Sequence, residues 1–477
     1  MSLAVRLLPY RAALFAVFLC VCSGGNASAL PQPFRGDPAL RPIVTGIPRL
    51  GLRIPTPTAA RSKIKHVVII MQENRSFDDL FQGYPGADTQ SYGYDSKGNK
   101  VNLHSVALEA PYDIEHDIYS YIVACNGSGS IPGTNCKMNG FNNEYSSCGN
   151  RCGPDPQYGY VPSSESATYF SMAGQYVLAD RMFTSHIDDS FISHQYIIAA
   201  QANGTAYFPS SYWGCDGGPS DQIALLSQSR QVGPQTIQTC WDINTLADEL
   251  DKAHKSWRFY TSTINGDGGL WSSYQAIRHI RYGPDWNKDV ITPQKQILTD
   301  VPNGLLANVT WVLPTFETSD HSGFGSNQGP EWVASVVDAI GKSKFWKSTA
   351  IFVFWDEWGG WYDHVAPPYV DYDGLGMRVP LLIISPYAKQ GYVSHVQYEH
   401  GSMLRFAEDA FGLGQLSASD TRANSPAADC FDFTQRPRPF QAFASERVHA
   451  HFRSAPPDGR NPDDDAVSPY FQRGVQR

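Results

Sequence analysis

The apolar positions of this chain gather into short unbroken runs, at residues 67–70, 309–312, 350–355 and 379–384. These runs are too short and too rich in β-branched and aromatic residues for helices, and they lack the alternation of a strand with one wet face. They predict strands buried on both faces of a sheet. Between them, patterned stretches at 169–180, 331–340 and 402–411 predict helices, and a further apolar stretch begins at Gln195. Strands alternating with helices indicate an α/β fold with a largely parallel sheet.

Two of the runs end in acid and amide groups, Glu73-Asn74 after the first and Asp356-Glu357 after the third. Parallel sheets carry their functional groups just beyond the carboxyl ends of strands, and four oxygen donors placed there suit a hard divalent cation. Flanking histidines would shift the choice towards zinc, so the identity of the metal stays open. A polar turn ahead of Gln195 carries Asp188, Asp189, Ser190, Ser193 and His194. A hydroxyl at the start of a helix either caps it or, favoured by the exposed N–H groups, serves as nucleophile and phosphate contact. A cation beside a serine supports phosphoryl chemistry, with histidine protonating the leaving alcohol. His116, His321, His364, His194 and His400 are the candidates, each in a polar turn.

Composition narrows the setting. A chain of 477 residues, 42% hydrophobic, can bury a large core, and a net charge of −9 argues against nucleic acid as a partner. Basic residues, an apolar core and small residues ending at Ala29 give residues 1–29 the form of a secretory signal peptide, so the expected location is secreted or periplasmic. Residues 30–61 form an extended proline-rich lead-in, 62–426 the catalytic domain with loop-rich insertions, and 427–477 a polar tail. In an oxidising compartment the neighbouring cysteines pair as Cys125–Cys136, Cys148–Cys152 and Cys215–Cys240, leaving Cys430 free or displacing one of these. A zinc knuckle over residues 125–152 is the rival, but paired CxxC spacing is missing. The Trp and Tyr clusters between 205 and 293 read as packing rather than as a cage for a quaternary ammonium or a platform for sugars.

The stretch HVVIIMQENRSFDDLFQGYPG resembles the opening motif of the bacterial phospholipase C and acid phosphatase phosphoesterase family, a branch of the alkaline phosphatase superfamily. DIEH at 113–116, KMNGF, the turn at 190–194 with YIIAAQ, SDH at 319–321, FWDEWGGWYDHVAPP, GMRVPLLIISPYAK and YEHGSMLRFAED follow in the expected order. The resemblance implies a three-layer α/β/α sandwich, alkaline-phosphatase-like, with a divalent cation held by Glu73, Asn74, Asp356 and Glu357. It implies Ser190 as nucleophile, with His116, His321 and His364 around the phosphate. The family usually has Gly-Pro before its nucleophile and Pro-Asn-His after it, whereas here Asp188-Asp189 precede Ser190 and Ile192-Ser193-His194 follow; Ser193, Thr184 and Ser185 are the alternative nucleophiles. Trp358 replaces a polar residue often found after the acid pair. The expected activity is hydrolysis of a phosphate ester or phospholipid through a phosphoseryl intermediate, phospholipase C-like, with transient membrane-surface contact and no protein partner. An acid phosphatase acting on monoesters is the alternative, and a non-catalytic binding protein on the same fold is the alternative of another class.

Overall fold

The computed structural model describes residues 57–149, 152–210, 214–262, 271–323 and 326–456. The expected signal peptide and most of the lead-in lie outside them. The main sheet has eight strands: β1 (His66–Gln72), β2 (Val177–Phe183), β3 (Trp257–Tyr260), β4 (Val290–Ile291), β5 (Val309–Val312), β6 (Thr349–Trp355), β7 (Arg378–Ile384) and β8 (Tyr392–Ser394). Their order is β4-β3-β5-β1-β6-β7-β2-β8, and β7 alone runs against the others.

The helices that carry the argument are α1 (Phe77–Phe81), α2 (Ile118–Cys125), α3 (Ala167–Gln175), α4 (Ser190–Ala199), α5 (Gly329–Gly341), α6 (Gly401–Phe411) and α7 (Glu446–Ser454). Alternate side chains of β6 show the two faces of the sheet. Phe352 and Phe354 meet Phe406 and His400 on one side, while Trp355 meets Tyr169 of α3 on the other. Helix α5 packs with α3 and α7, and α6 with α4, so helices cover both faces. This is the three-layer α/β/α sandwich, and it is why every residue of β6 and β7 is buried.

The sequence expectation fails at 169–180. The helix stops at Gln175, and Val177–Phe183 is an inner strand between β7 and β8. The buried Asp180 disguises it, because its carboxylate is occupied by the Asp88 N–H and the His395 ring. Residues 427–456, expected as a polar tail, pack against the body: Cys430, Phe431, Phe433 and Phe452 are buried in the main core. The aromatic stretch between 205 and 293 likewise supplies Trp241, Trp271 and Tyr274 to that core.

Residues 86–162, one of the loop-rich insertions, build a smaller core around α2. Ile118, Tyr121, Phe141 and Tyr158 pack there against Trp358 and Tyr362, which follow the second acid pair. Trp358 thereby anchors the insertion to the sheet. Three disulfides join Cys125–Cys136, Cys148–Cys152 and Cys215–Cys240, and Cys430 is a buried free thiol. No helix among the described residues is long and apolar enough to cross a membrane.

Candidate active site

Strands β1 and β6 are parallel neighbours in register, Gln72 opposite Trp355, so the residues that follow them leave the sheet side by side. The ladder continues one bond further, from the Asp356 N–H to the Gln72 carbonyl at 3.0 Å. Glu73, Asn74, Asp356 and Glu357 are all fully buried. Asn74 adopts a left-handed backbone, φ +62°, which Asn tolerates better than most residues. There its side-chain amide donates to His116 Nε2 at 3.0 Å. His116 in turn donates from Nδ1 to the Ile114 carbonyl, 2.7 Å, and its Nε2 lies 3.8 Å from Glu357 Oε1. The ring of His321 stands 5.9 Å from that of His116, with Nδ1 donating to the Ser322 carbonyl at 2.6 Å.

The polar turn closes the site from the other side. Ser190 is the first residue of α4, and His194 lies one turn further on the same helix. His194 Nε2 meets Glu73 Oε1 at 3.0 Å. Burial lowers the imidazole pKa to about 4, against the pull of the Asp356 carboxylate, so the ring is neutral and donates. One ligand atom each from Glu73, His194 and Asp356 falls within a 4.8 Å group. Asn74 Oδ1 and Asp356 Oδ2, both buried, have no hydrogen-bond partner. Buried acceptors in that state are costly, and a divalent cation answers both with a donor set of the right chemistry.

A model of the Phosphoesterase family matches residues 64–414. The chain belongs to the Phosphoesterase family. Among curated relatives, phospholipase C B of Mycobacterium tuberculosis is 26% identical over 436 residues, covering 79% of each chain. Hemolytic phospholipase C of Pseudomonas aeruginosa is 23% identical over 79% of this chain and 56% of its own length. Non-specific phospholipase C1 of Arabidopsis thaliana is 23% identical, over 75% of this chain and 68% of that one. A solved structure in the alkaline phosphatase superfamily, from Vibrio parahaemolyticus, aligns with 12% identity and a TM-score of 0.34 over 77% of this chain and 72% of that one, too weak a likeness to add to the assignment. The phosphoesterase is accordingly a hydrolase of phosphoric ester bonds.

In this phosphoesterase the hydroxyls around the turn are distinguished by their partners. Thr184 Oγ1 donates to the His186 carbonyl, Ser185 Oγ to Glu399 Oε2 at 2.9 Å, and Ser193 Oγ to the Asp356 carbonyl at 2.7 Å. Ser190 Oγ, fully buried, has none. Asp188, two residues before Ser190, is turned to the main chain: it accepts the N–H groups of Ile118, Asp189 and Tyr207 at 3.0–3.1 Å. Burial and the neighbouring Asp117 raise its pKa well above the carboxylate range.

His364, grouped by sequence with the phosphate, belongs to another cluster of the phosphoesterase. Its Nδ1 lies 2.5 Å from Asp78 Oδ2 and its Nε2 3.1 Å from Asp88 Oδ1, while the buried Arg378 pairs with Asp78 and Asp363. Gly359 and Gly360, at φ +64° and +69°, turn the chain between the acid pair and this cluster. What motif reading left unassigned is His194, and its signal was present: Ser190 and His194 are four apart, the spacing of one helix face. His400 is also buried near the strand ends, its Nε2 3.3 Å from the Trp355 carbonyl.

Proposed function

We propose that this chain is a secreted, metal-dependent phosphoesterase of phospholipase C type, in which Ser190 is the nucleophile. The observation that carries the reading is Ser190 itself, a buried, unpartnered hydroxyl on the first turn of a helix whose next turn reaches Glu73. Glu73, Asn74, Asp356 and Glu357 would hold the cation, with His194 beside Glu73. Bound there, a divalent cation supplies charge neutralisation for a phosphoryl oxygen and a lower pKa for the serine hydroxyl. Ser190 Oγ, as the alkoxide, attacks phosphorus, and the bond to the leaving alcohol breaks. The alcohol takes a proton from His321, whose Nδ1–H is engaged with the Ser322 carbonyl, so that Nε2 is the nitrogen that delivers it. Water then adds to phosphorus, the bond to Ser190 Oγ breaks, and the proton released returns to the same nitrogen. His116 holds the Asn74 amide in place. The three disulfides suit an oxidising compartment, and the relatives named phospholipase C support a phospholipid headgroup ester as substrate.

The test is turnover of phosphatidylcholine, a chromogenic phosphocholine diester and the matching monoester by the purified, metal-loaded protein. Cleavage of both diesters well above the monoester is expected; preference for the monoester would replace the reading with an acid phosphatase. Ser190→Ala should lower kcat by on the order of 1,000-fold or more. Turnover unaffected by that change removes Ser190 from the chemistry.

A further inference from the structure

The turn ahead of Ser190 contains a histidine to which the reaction gives no task. His186 is fully buried. The Asp188 N–H donates to its Nδ1 at 2.9 Å, and its Nε2 lies 2.6 Å from Ser193 Oγ. A neutral imidazole has one donor and one acceptor, so a ring that accepts at Nδ1 must donate at Nε2. Burial, with His400 and His194 nearby, holds its pKa well below the usual value, consistent with that single proton. Ser193, receiving at its oxygen, sends its own hydroxyl proton to the Asp356 carbonyl. The three bonds therefore run in one direction, from the backbone just before Ser190 to the backbone of the second acid pair. Swivelling of the ring is blocked by Tyr196, which stacks on it at 5.5 Å and 27°, and by His400, whose ring centroid is 5.8 Å away. The Tyr196 hydroxyl is itself tied to Asp373.

We propose that His186 is a positioning residue: as a fixed Nε2–H donor to Ser193 it fastens the turn that delivers Ser190 to the strand end that presents Asp356 and Glu357. The inference rests on the reading of Ser190 and the acid pairs given above. A histidine serving only the core would need its two bonds satisfied anywhere. Here both are made to the flanks of Ser190, two residues before it and three after, and the second is handed on to a candidate metal ligand's own backbone. The strut thus sets the separation between nucleophile and cation. A displacement of about 1 Å in such a constellation is enough to cost on the order of 100-fold in rate.

The experiment compares His186→Leu, which fills the space but makes neither bond, with His186→Gln, whose amide retains an N–H donor. Measured on metal-loaded protein, His186→Leu should lower kcat by about 30-fold with KM within about threefold, and His186→Gln should recover to within about fivefold of wild type. After dialysis against metal-free buffer, His186→Leu should retain less than about half of the wild-type metal. In a Ser193→Ala background, where the strut is already cut, His186→Leu should cost no more than about threefold further. Hydrogen–deuterium exchange should rise in the peptide spanning 184–194 and stay unchanged in the sheet. A kcat within threefold of wild type for His186→Leu, an undiminished loss in the Ser193→Ala background, or a Gln variant as poor as Leu overturns the proposal. Ser190→Ala is assayed beside these. Should it keep full turnover, the nucleophile assignment fails separately, and unchanged metal retention and exchange in His186→Leu would then overturn the strut by themselves.

Discussion

The main-chain N–H of Asn74 donates to Asp356 Oδ1 at 3.2 Å across 282 residues of sequence. The bond is made with Asn74 in a left-handed backbone, at φ +62°. It joins the ends of β1 and β6 directly, before any cation is considered. The two jaws of the site are therefore aligned by the polypeptide, and a backbone conformation of this kind is retained where the surroundings enforce it.

What enforces it includes Gly359. A Cβ built there would lie 2.4 Å from the Asn74 carbonyl oxygen, in a residue whose φ of +64° already disfavours side chains. Gly359→Ala should destabilise the protein by about 1–3 kcal/mol and lower kcat at least about tenfold. Urea unfolding and steady-state kinetics measure the two effects. An alanine variant indistinguishable from wild type would mean that the Asn74 turn is not held from this side.

Removal of the cation should weaken the fold as well as the activity. Glu73, Asp356 and Glu357 are fully buried, and Asp356 Oδ2 has no partner within the protein. A buried carboxylate oxygen left without a partner, as at Asp356, is costly. Dialysis against a chelator should lower unfolding free energy by about 2–3 kcal/mol relative to protein held at roughly 100 times the metal's Kd. Thermal melts with and without added divalent ion read the change. Equal melts would show that these side chains hold no cation.

The second charged cluster predicts a pH dependence of stability. Burial pulls the His364 pKa down, but the hydrogen bond and charge of Asp78, with Asp363, outweigh it, and the net shift is upward from 6.5. A raised folded-state pKa stabilises fully below the unfolded value and loses that contribution as pH rises through the folded value. The stability difference between wild type and His364→Gln should therefore be larger near pH 5.5 than near pH 8.5. Denaturant titrations at the two values decide it, and a difference that grows with pH contradicts the assignment.

Asp188 offers a test of the turn that does not touch the chemistry. Its two oxygens accept three main-chain N–H groups. Asp188→Asn keeps the shape but turns an amino group towards at least one of those donors, most simply that of Tyr207. A loss of about 1–3 kcal/mol in unfolding free energy is expected. A cost below about 0.5 kcal/mol would show that the acid is already protonated in place.

Much of this architecture was legible because its signals are local. The apolar runs at 67–70 and 350–355 are strands, and the polar pairs after them meet as the strand-end rule requires. Strand β2 was hidden because a buried aspartate interrupts its apolar run, and β3, β4 and β8 are too short to show a period. His364 joins the second cluster for a reason that no spacing shows. It lies seven positions after Glu357, yet the two left-handed glycines between them redirect the chain towards Asp78, and a spacing carries no direction. The strut of His186 leaves no sequence mark at all, since it depends on which ring nitrogen faces which segment.

The pairing of β1 with β6 also has a consequence in time. Glu73 and Asn74 are synthesised early and Asp356 and Glu357 some 280 residues later, so a growing or partly threaded chain owns half of a chelating group and no more. Closing so long a loop is slow but adds little to its thermodynamic cost. A cation held by both pairs, as proposed, would thus be captured after the sheet has assembled, and for a chain exported unfolded the metal supply that matters would be the one at the destination.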